Sequence, residues 1–270
     1  MKLPVPWVGP HGLTAAWFGA ALGATLVAAA GAARAGDVHD LNRGLPLDVE
    51  DTVTAERGQV QLQGSARYEH ESDGSDLLFL EPQVQVGVLD NFHFELTYPV
   101  IAGDGDRSGA GDFIVAGLYR FLDEKRPGFG DDPWPSLAVK GELEFPTGVD
   151  SDGLDTTIRL LATKTVTQSP SQDRLHVNVA WAHNAAAAGD ERENRFSFIF
   201  GYSRKLDDQT VVLADVVREQ DRLEGQDSTI VEAGMLRQLS DRVTVAGGLG
   251  FGIGDDSPDV RLTIGVQYSF

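Results

Sequence analysis

From residue 59 to residue 270 apolar side chains recur at every second position, and this alternation limits the possible folds more than any other feature of the chain. A period of two belongs to an extended strand with two unlike faces. The end of the chain shows it most cleanly. Val260, Leu262, Ile264, Val266, Tyr268 and Phe270 alternate there with Asp259, Arg261, Thr263, Gly265, Gln267 and Ser269. Phe92, Phe94, Leu96 and Tyr98 alternate in the same way with His93, Glu95 and Thr97. The pattern predicts twelve strands, near 59–70, 77–89, 92–102, 111–122, 135–146, 156–168, 174–183, 194–205, 209–220, 228–239, 243–254 and 259–270. Each has the roughly ten residues with which a tilted strand crosses a hydrocarbon layer.

The connections alternate too. Tight turns at 89–91, 207–208 and 240–241 separate longer polar loops at 71–76, 103–110, 147–155, 184–193 and 221–227, most of them rich in Asp and Gly. Short turns on one rim and long loops on the other are the habit of transmembrane barrels; the loop at 123–133 is the exception, long but on the short-turn rim. Tracing the strands up and down puts the apolar-face aromatics at two levels. Tyr68, Tyr98, Phe145, Trp181, Phe196 and Phe251 fall near the long loops, and Phe92, Tyr119, Phe121, Tyr202, Tyr268 and Phe270 near the short turns. A soluble β-sandwich also alternates, but it has no reason to sort aromatics into two belts. The expected fold is therefore all-β, a 12-stranded antiparallel transmembrane β-barrel. An even strand number puts both termini on one side, the periplasmic one, and closure pairs every backbone polar group, as hydrocarbon demands.

The amino terminus reads as an address. Lys2 is followed by an uncharged stretch rich in Ala, Gly and Leu that ends at Ala33-Arg34-Ala35, the parts of a secretory signal peptide cleaved near Ala35. The expected organisation is a signal peptide at 1–35, a periplasmic N-terminal segment at 36–58 and the barrel at 59–270. Forty-one acids against 22 bases, a net charge of −19, argue against a nucleic-acid surface, and the absence of cysteine excludes a disulfide scaffold. The expected location is the bacterial outer membrane. The expected partners are outer-membrane lipids, lipopolysaccharide and the barrel-assembly machinery.

Several motifs carry a resemblance. Tyr268-Ser269-Phe270 resembles the carboxy-terminal assembly signal of bacterial outer-membrane proteins, a terminal Phe with an aromatic two residues before it. Gly111-Asp112 leading to Tyr119-Arg120-Phe121, then Glu144-Phe145-Pro146-Thr147-Gly148, Leu160-Leu161-Ala162-Thr163-Lys164 and Leu175-His176-Val177-Asn178 resemble, in that order, the family labelled putative MetA-pathway of phenol degradation. The resemblance implies an outer-membrane transporter. Leu118 departs from it, standing where a Lys would precede the Tyr-Arg-Phe.

Strand parity names the candidate pore lining: Arg67, Glu81, Glu95, Arg120, Lys140, Glu142, Glu144, Arg159, Glu232 and Arg261, with Glu69, Asp112 and Asp215 on the same faces. Opposite charges along a water-filled wall select solutes; in a narrower barrel the same charges would neutralise one another and fill the lumen. Inward Gly248, Gly250 and Gly252 leave space, which favours a pore. Asp104, Asp106, Asp112, Asp150, Asp152 and Asp155 form only fragments of calcium loops, so no metal site is expected. His70-Glu71-Ser72-Asp73-Gly74 loosely resembles the His-x-Ser-Asn-Gly segment of outer-membrane phospholipases, but Asp73 replaces the Asn and a turn accounts for it. His93, His176 and His183 are too scattered for a metal site. No catalytic residue and no cofactor are expected. The reading is a channel for passive diffusion of small solutes, aromatic or amphipathic compounds among them. The alternatives are a lipid-hydrolysing barrel and a non-conducting structural or adhesive one.

Overall fold

The computed structural model describes residues 38–103, 108–124, 134–148, 153–167 and 171–270. The expected signal peptide lies outside the described residues, as do Asp104, Asp106, Asp150 and Asp152. Strand segments run β1 Val60–His70, β2 Asp76–Leu89, β3 Phe92–Thr97, β4 Val100–Gly103, β5 Gly109–Ala110, β6 Phe113–Leu122 and β7 Ser136–Phe145. They continue as β8 Asp155–Thr165, β9 Arg174–His183, β10 Asn194–Asp207, β11 Thr210–Gln220, β12 Asp227–Ser240, β13 Val243–Gly252 and β14 Val260–Ser269. Every pairing is antiparallel, and β1 pairs with both β2 and β14, so the sheet closes on itself. The described residues contain no helix.

The fourteen segments make a barrel of twelve staves, the expected number. Two staves are broken. Pro99 has no N–H to give to a ladder, and the third stave splits there into β3 and β4. Its neighbour splits at Gly111-Asp112 into β5 and β6, and the Gly111 amide donates to the Pro99 carbonyl across the break (2.9 Å). Register shifts fall at Gly87/Leu89, Arg120/Leu122, Lys205/Asp207 and Gln238/Ser240, each just before a connection on the short-turn rim. An extra residue there sharpens the local twist where the strand must turn back.

Parity sets the two faces as the sequence predicts. Leu262, Ile264 and Val266 are 47%, 68% and 47% exposed, whereas Arg261, Thr263 and Gln267 between them are buried. Phe145, Phe196 and Phe251 stand exposed toward the long loops, and Tyr119 and Phe121 toward the short turns. Closure is finished by the last residue, whose amide donates to the Val60 carbonyl (2.9 Å) while the Phe270 ring packs edge-on against Tyr268.

The largest difference from the sequence reading concerns residues 36–58. Expected as a periplasmic segment outside the barrel, this stretch runs inside the ring of strands from Val38 to Ala55. Leu41, Leu45, Leu47 and Val49 are 1–2% exposed, and they form one apolar cluster with Ile199, Val211, Leu213, Val217, Ile230 and Leu236 of the wall. The chain enters beside Arg174 at the short-turn rim, where the His39 carbonyl accepts from the Arg174 guanidinium (3.2 Å). It turns over near Arg43–Leu47, with the Gly44 amide donating to the Leu47 carbonyl (2.7 Å). It then returns to the same rim, where the Ala55 amide donates to His93 Nδ1 (3.1 Å).

A charged lumen and its inner segment

Glycines on the inward faces form the seat. A Cβ built on Gly265 would lie 2.2 Å from Leu45 Cδ1, one on Gly201 2.5 Å from Val49 Cγ2, one on Gly234 2.7 Å from Pro46 Cγ and one on Gly248 2.8 Å from Leu47 Cδ2. Any larger residue at these places would push the segment's side chains out of their present positions, so glycine is what lets it sit this close to the wall. The space expected beside Gly248 as open pore is therefore occupied by Pro46 and Leu47.

Above this seat the segment brings its own charges to the wall. Arg261 donates to Asp48 Oδ2 (2.7 Å) and Glu69 Oε1 (2.6 Å) and stands 3.5 Å from Glu232 Oε1. Arg67 lies 3.6 Å from Asp48, 3.4 Å from Glu69 and 3.9 Å from Glu81. On the opposite side Lys140 Nζ bridges Glu50 of the segment (2.8 Å) and Glu95 of the wall (2.7 Å). Arg159 is 4.0 Å from Glu50 and 3.9 Å from Glu142, and Glu142 also meets Arg43 at 3.6 Å. Two amides of the segment are held as well: Val49 N–H donates to Asp215 (2.9 Å) and Glu50 N–H to the Asn178 side chain (2.9 Å). Buried charges are tolerated only when paired, and here the partners come from two different parts of the chain.

Nine of the ten candidate lining residues thus lie along this inner wall, Glu144 beside the cavity described below. Arg120 does not join them. It sits at the short-turn rim, 3.8 Å from Asp123, with its guanidinium reaching the Asp90 carbonyl. Next to it on the inward face, Leu118 is fully buried against Ala138 and Leu161, with His93 and Lys140 as its partners across the ladder. Asp112 belongs to the loop rim, accepting the amides of Thr147 (3.0 Å) and Gly148 (2.7 Å). Reading the sequence missed Arg43, Asp48, Glu50 and Asp51, because nothing in strand periodicity marks an inner segment. One signal was available. Gly201, Gly234 and Gly265 recur at inward positions with no turn to explain them.

The segment leaves a cavity of about 200 Å³ toward the long loops, lined by Arg43, Arg67, Lys140, Glu81, Glu142 and Glu144 among others. On the long-loop rim, loops 184–193 and 221–227 are tied together. Arg192 donates to Asp227 (3.0 Å), Arg222 to Glu191 (3.2 Å), and the Glu224 amide to the Asp190 carbonyl (2.9 Å). The Ala188 amide and then the nearby Arg222 charge hold the Glu191 carboxyl below the usual carboxylate range.

The phospholipase-like stretch folds as a turn. Asp73 accepts from the Ser75 amide (2.9 Å) and hydroxyl (2.7 Å), and Ser72 Oγ donates to the Asp255 carbonyl rather than to His70. His70 Nδ1 contacts Asp76 (2.8 Å). Among the described residues no group of His, Asp and Glu is arranged to hold a metal ion.

No known family's sequence profile matches this chain. No curated protein matches it in sequence either. Solved structures do match in fold. The COG4313 outer membrane channel from Pseudomonas putida F1 covers 86% of this chain and 100% of its own, at 12% identity and a TM-score of 0.60. The KdgM porin covers 78% and 99% at 10% identity and 0.55, and the NanC porin 77% and 98% at 10% identity and 0.52. At such identities the likeness is one of fold: this chain has the barrel architecture of outer-membrane channels.

Proposed function

We propose that the protein is an outer-membrane channel for small solutes, oriented with its short turns in the periplasm, whose lumen is closed by its own residues 38–56. The observation that carries this reading is the way the lumen is filled. A structural barrel closes its interior with side chains of its own strands, whereas here inward glycines and inward charges are matched to a segment that precedes the first strand and that no disulfide fastens to the wall. Lifting it would uncover a wall bearing Arg67, Glu95, Lys140, Glu142, Arg159, Glu232 and Arg261, the charged lining that selects solutes in a water-filled passage. The channel and porin folds of the matching structures support the reading.

Single-channel recording in planar bilayers tests it. The full barrel should show brief openings, and a variant lacking residues 38–56 should show sustained current proportional to voltage. A deletion variant that remains heat-modifiable on gels, and so is folded, yet never conducts would establish a structural barrel instead.

A further inference from the structure

A second cavity, of about 90 Å³, lies on the other side of Arg43, between β8, β9, β10 and β11 beneath the tied loops. Its charge is opposite in character to that of the larger one. Arg43, Arg159 and Arg195 line it against a single carboxylate, Glu219, with Thr157 and Gln220 completing the polar wall. Ala180 and Ala182 open the space, being short where neighbouring inward positions carry long side chains.

The guanidiniums are only partly engaged by the protein, Arg43 meeting Glu142 at 3.6 Å. Arg159 is 2% exposed, its Nε has no hydrogen-bond partner, and its nearest carboxylate oxygens stand off at 3.9 and 4.0 Å. Arg195 Nε is also buried without a hydrogen bond, and Arg195 makes no ion pair within 4 Å among the described residues. Arg43 keeps 41% of its side chain exposed. A guanidinium presents a planar fork of donors, and a buried donor left unmade is costly. The group that satisfies such forks best is a planar, two-oxygen anion bound through paired N–H···O contacts. A cavity of about 90 Å³ is several times the roughly 10–15 Å³ that holds one water, which leaves room for a carboxylate head.

We propose that this pocket binds the carboxylate of a small organic acid entering from the long-loop side, and that the bound acid holds the inner segment in its seat. The proposal rests on the channel reading for its role in gating, but not for the binding itself. Because Arg43 belongs to the inner segment, the pocket is complete only while that segment is seated. A bound carboxylate therefore favours the seated state, by the ordinary linkage between a ligand and the conformation it prefers.

Binding is measured on the whole folded barrel in detergent, by ligand-observed NMR titration with propionate, inorganic phosphate and tetramethylammonium. Propionate should bind, and Arg195→Gln should weaken it at least about tenfold. Arg195→Lys keeps the charge and loses the fork, and should fall between. Ala182→Leu fills the space without changing any charge and should abolish binding, whereas Arg218→Gln, on the outer face, should leave it unchanged. Heat-modifiability on gels checks that each variant is folded. Propionate binding that ignores Arg195→Gln and Ala182→Leu would overturn the proposal. Phosphate binding as strong as propionate's and equally sensitive to the variants would also overturn it, since the pocket would then read charge alone. Bilayer conductance is recorded separately: binding without conductance removes the channel and leaves the pocket, and conductance without binding does the reverse.

Discussion

Lys140→Met should open the channel. Lys140 is 4% exposed and its ammonium bridges Glu50 of the inner segment at 2.8 Å and Glu95 of β3 at 2.7 Å. Removing the cation leaves two buried carboxylates that had shared it. Breaking a buried pair by deleting one partner costs about 3–5 kcal/mol, most of it the penalty of the stranded charge. The two carboxylates have different ways out. Glu95 keeps His93 Nε2 at 2.9 Å and cannot move, being part of a strand. Glu50 retains only the distant Arg159, at 4.0 Å, and regains water if the segment leaves the lumen. The cheapest relief is therefore release of the segment. At about 1.4 kcal/mol per decade, the ratio of seated to released protein should fall by about two to three and a half decades. Open probability in planar bilayers reads this, alongside protease cleavage within residues 38–56. Adding Glu50→Gln to Lys140→Met removes the stranded charge from the segment and should restore most of the closed time. If Lys140→Met gates and resists protease like the parent, or if Glu50→Gln rescues nothing, the segment is not held by this bridge and the reasoning fails.

Two further outcomes follow from the same geometry. Leu262→Arg places a charge on the outer face, where a midplane arginine costs about 2–4 kcal/mol, so a lower urea midpoint is expected. Thr263→Arg, one residue on, points inward at a position 3% exposed beside Pro46 and Leu47; it should leave barrel stability near the parent's while raising open probability. Equal effects of the two on the midpoint would mean the faces are misassigned. Deleting Phe270 removes the amide that closes the ladder onto Val60 and should leave no heat-modifiable barrel in membranes; a normal yield would count against it.

The strands were legible because a barrel wall writes its two solvents into alternate residues. Leu262 faces one medium and Thr263 another, and no long-range knowledge is needed to see it. Stave boundaries fell within three residues of their expected places for the same reason. Breaks were less legible. Pro99 could have flagged the split between β3 and β4, but the split at Gly111-Asp112 depends on what lies across the ladder. The inner segment was illegible as such, because residues 38–56 have no period of their own. Leu45, Pro46, Leu47 and Val49 are spaced to meet glycines on four different strands, and that correspondence exists only after the barrel has closed. Arg120 shows the reverse failure. Its parity is inward, as predicted, but parity does not say at what height along the wall a side chain ends, and Arg120 ends among the turns at Asp90 and Asp123.

The chemistry of the seat divides its work between two kinds of contact. Leu41, Leu45, Leu47 and Val49 lose roughly 1.5–3 kcal/mol each if a fully buried side chain becomes exposed, and water returns nothing for that loss. The ion pairs behave differently. Each charge gave up hydration to enter the lumen and recovers it when the lumen floods, so a buried pair adds little net affinity while a mispaired charge is heavily penalised. Apolar contacts against Gly201, Gly234, Gly248 and Gly265 therefore set how firmly the segment is held. The pairs Asp48–Arg261 and Glu50–Lys140 set where it sits, since a shift by one residue would strand both acids. A closure built in this way keeps one register when seated and leaves behind, on release, a wall whose charges are already suited to water.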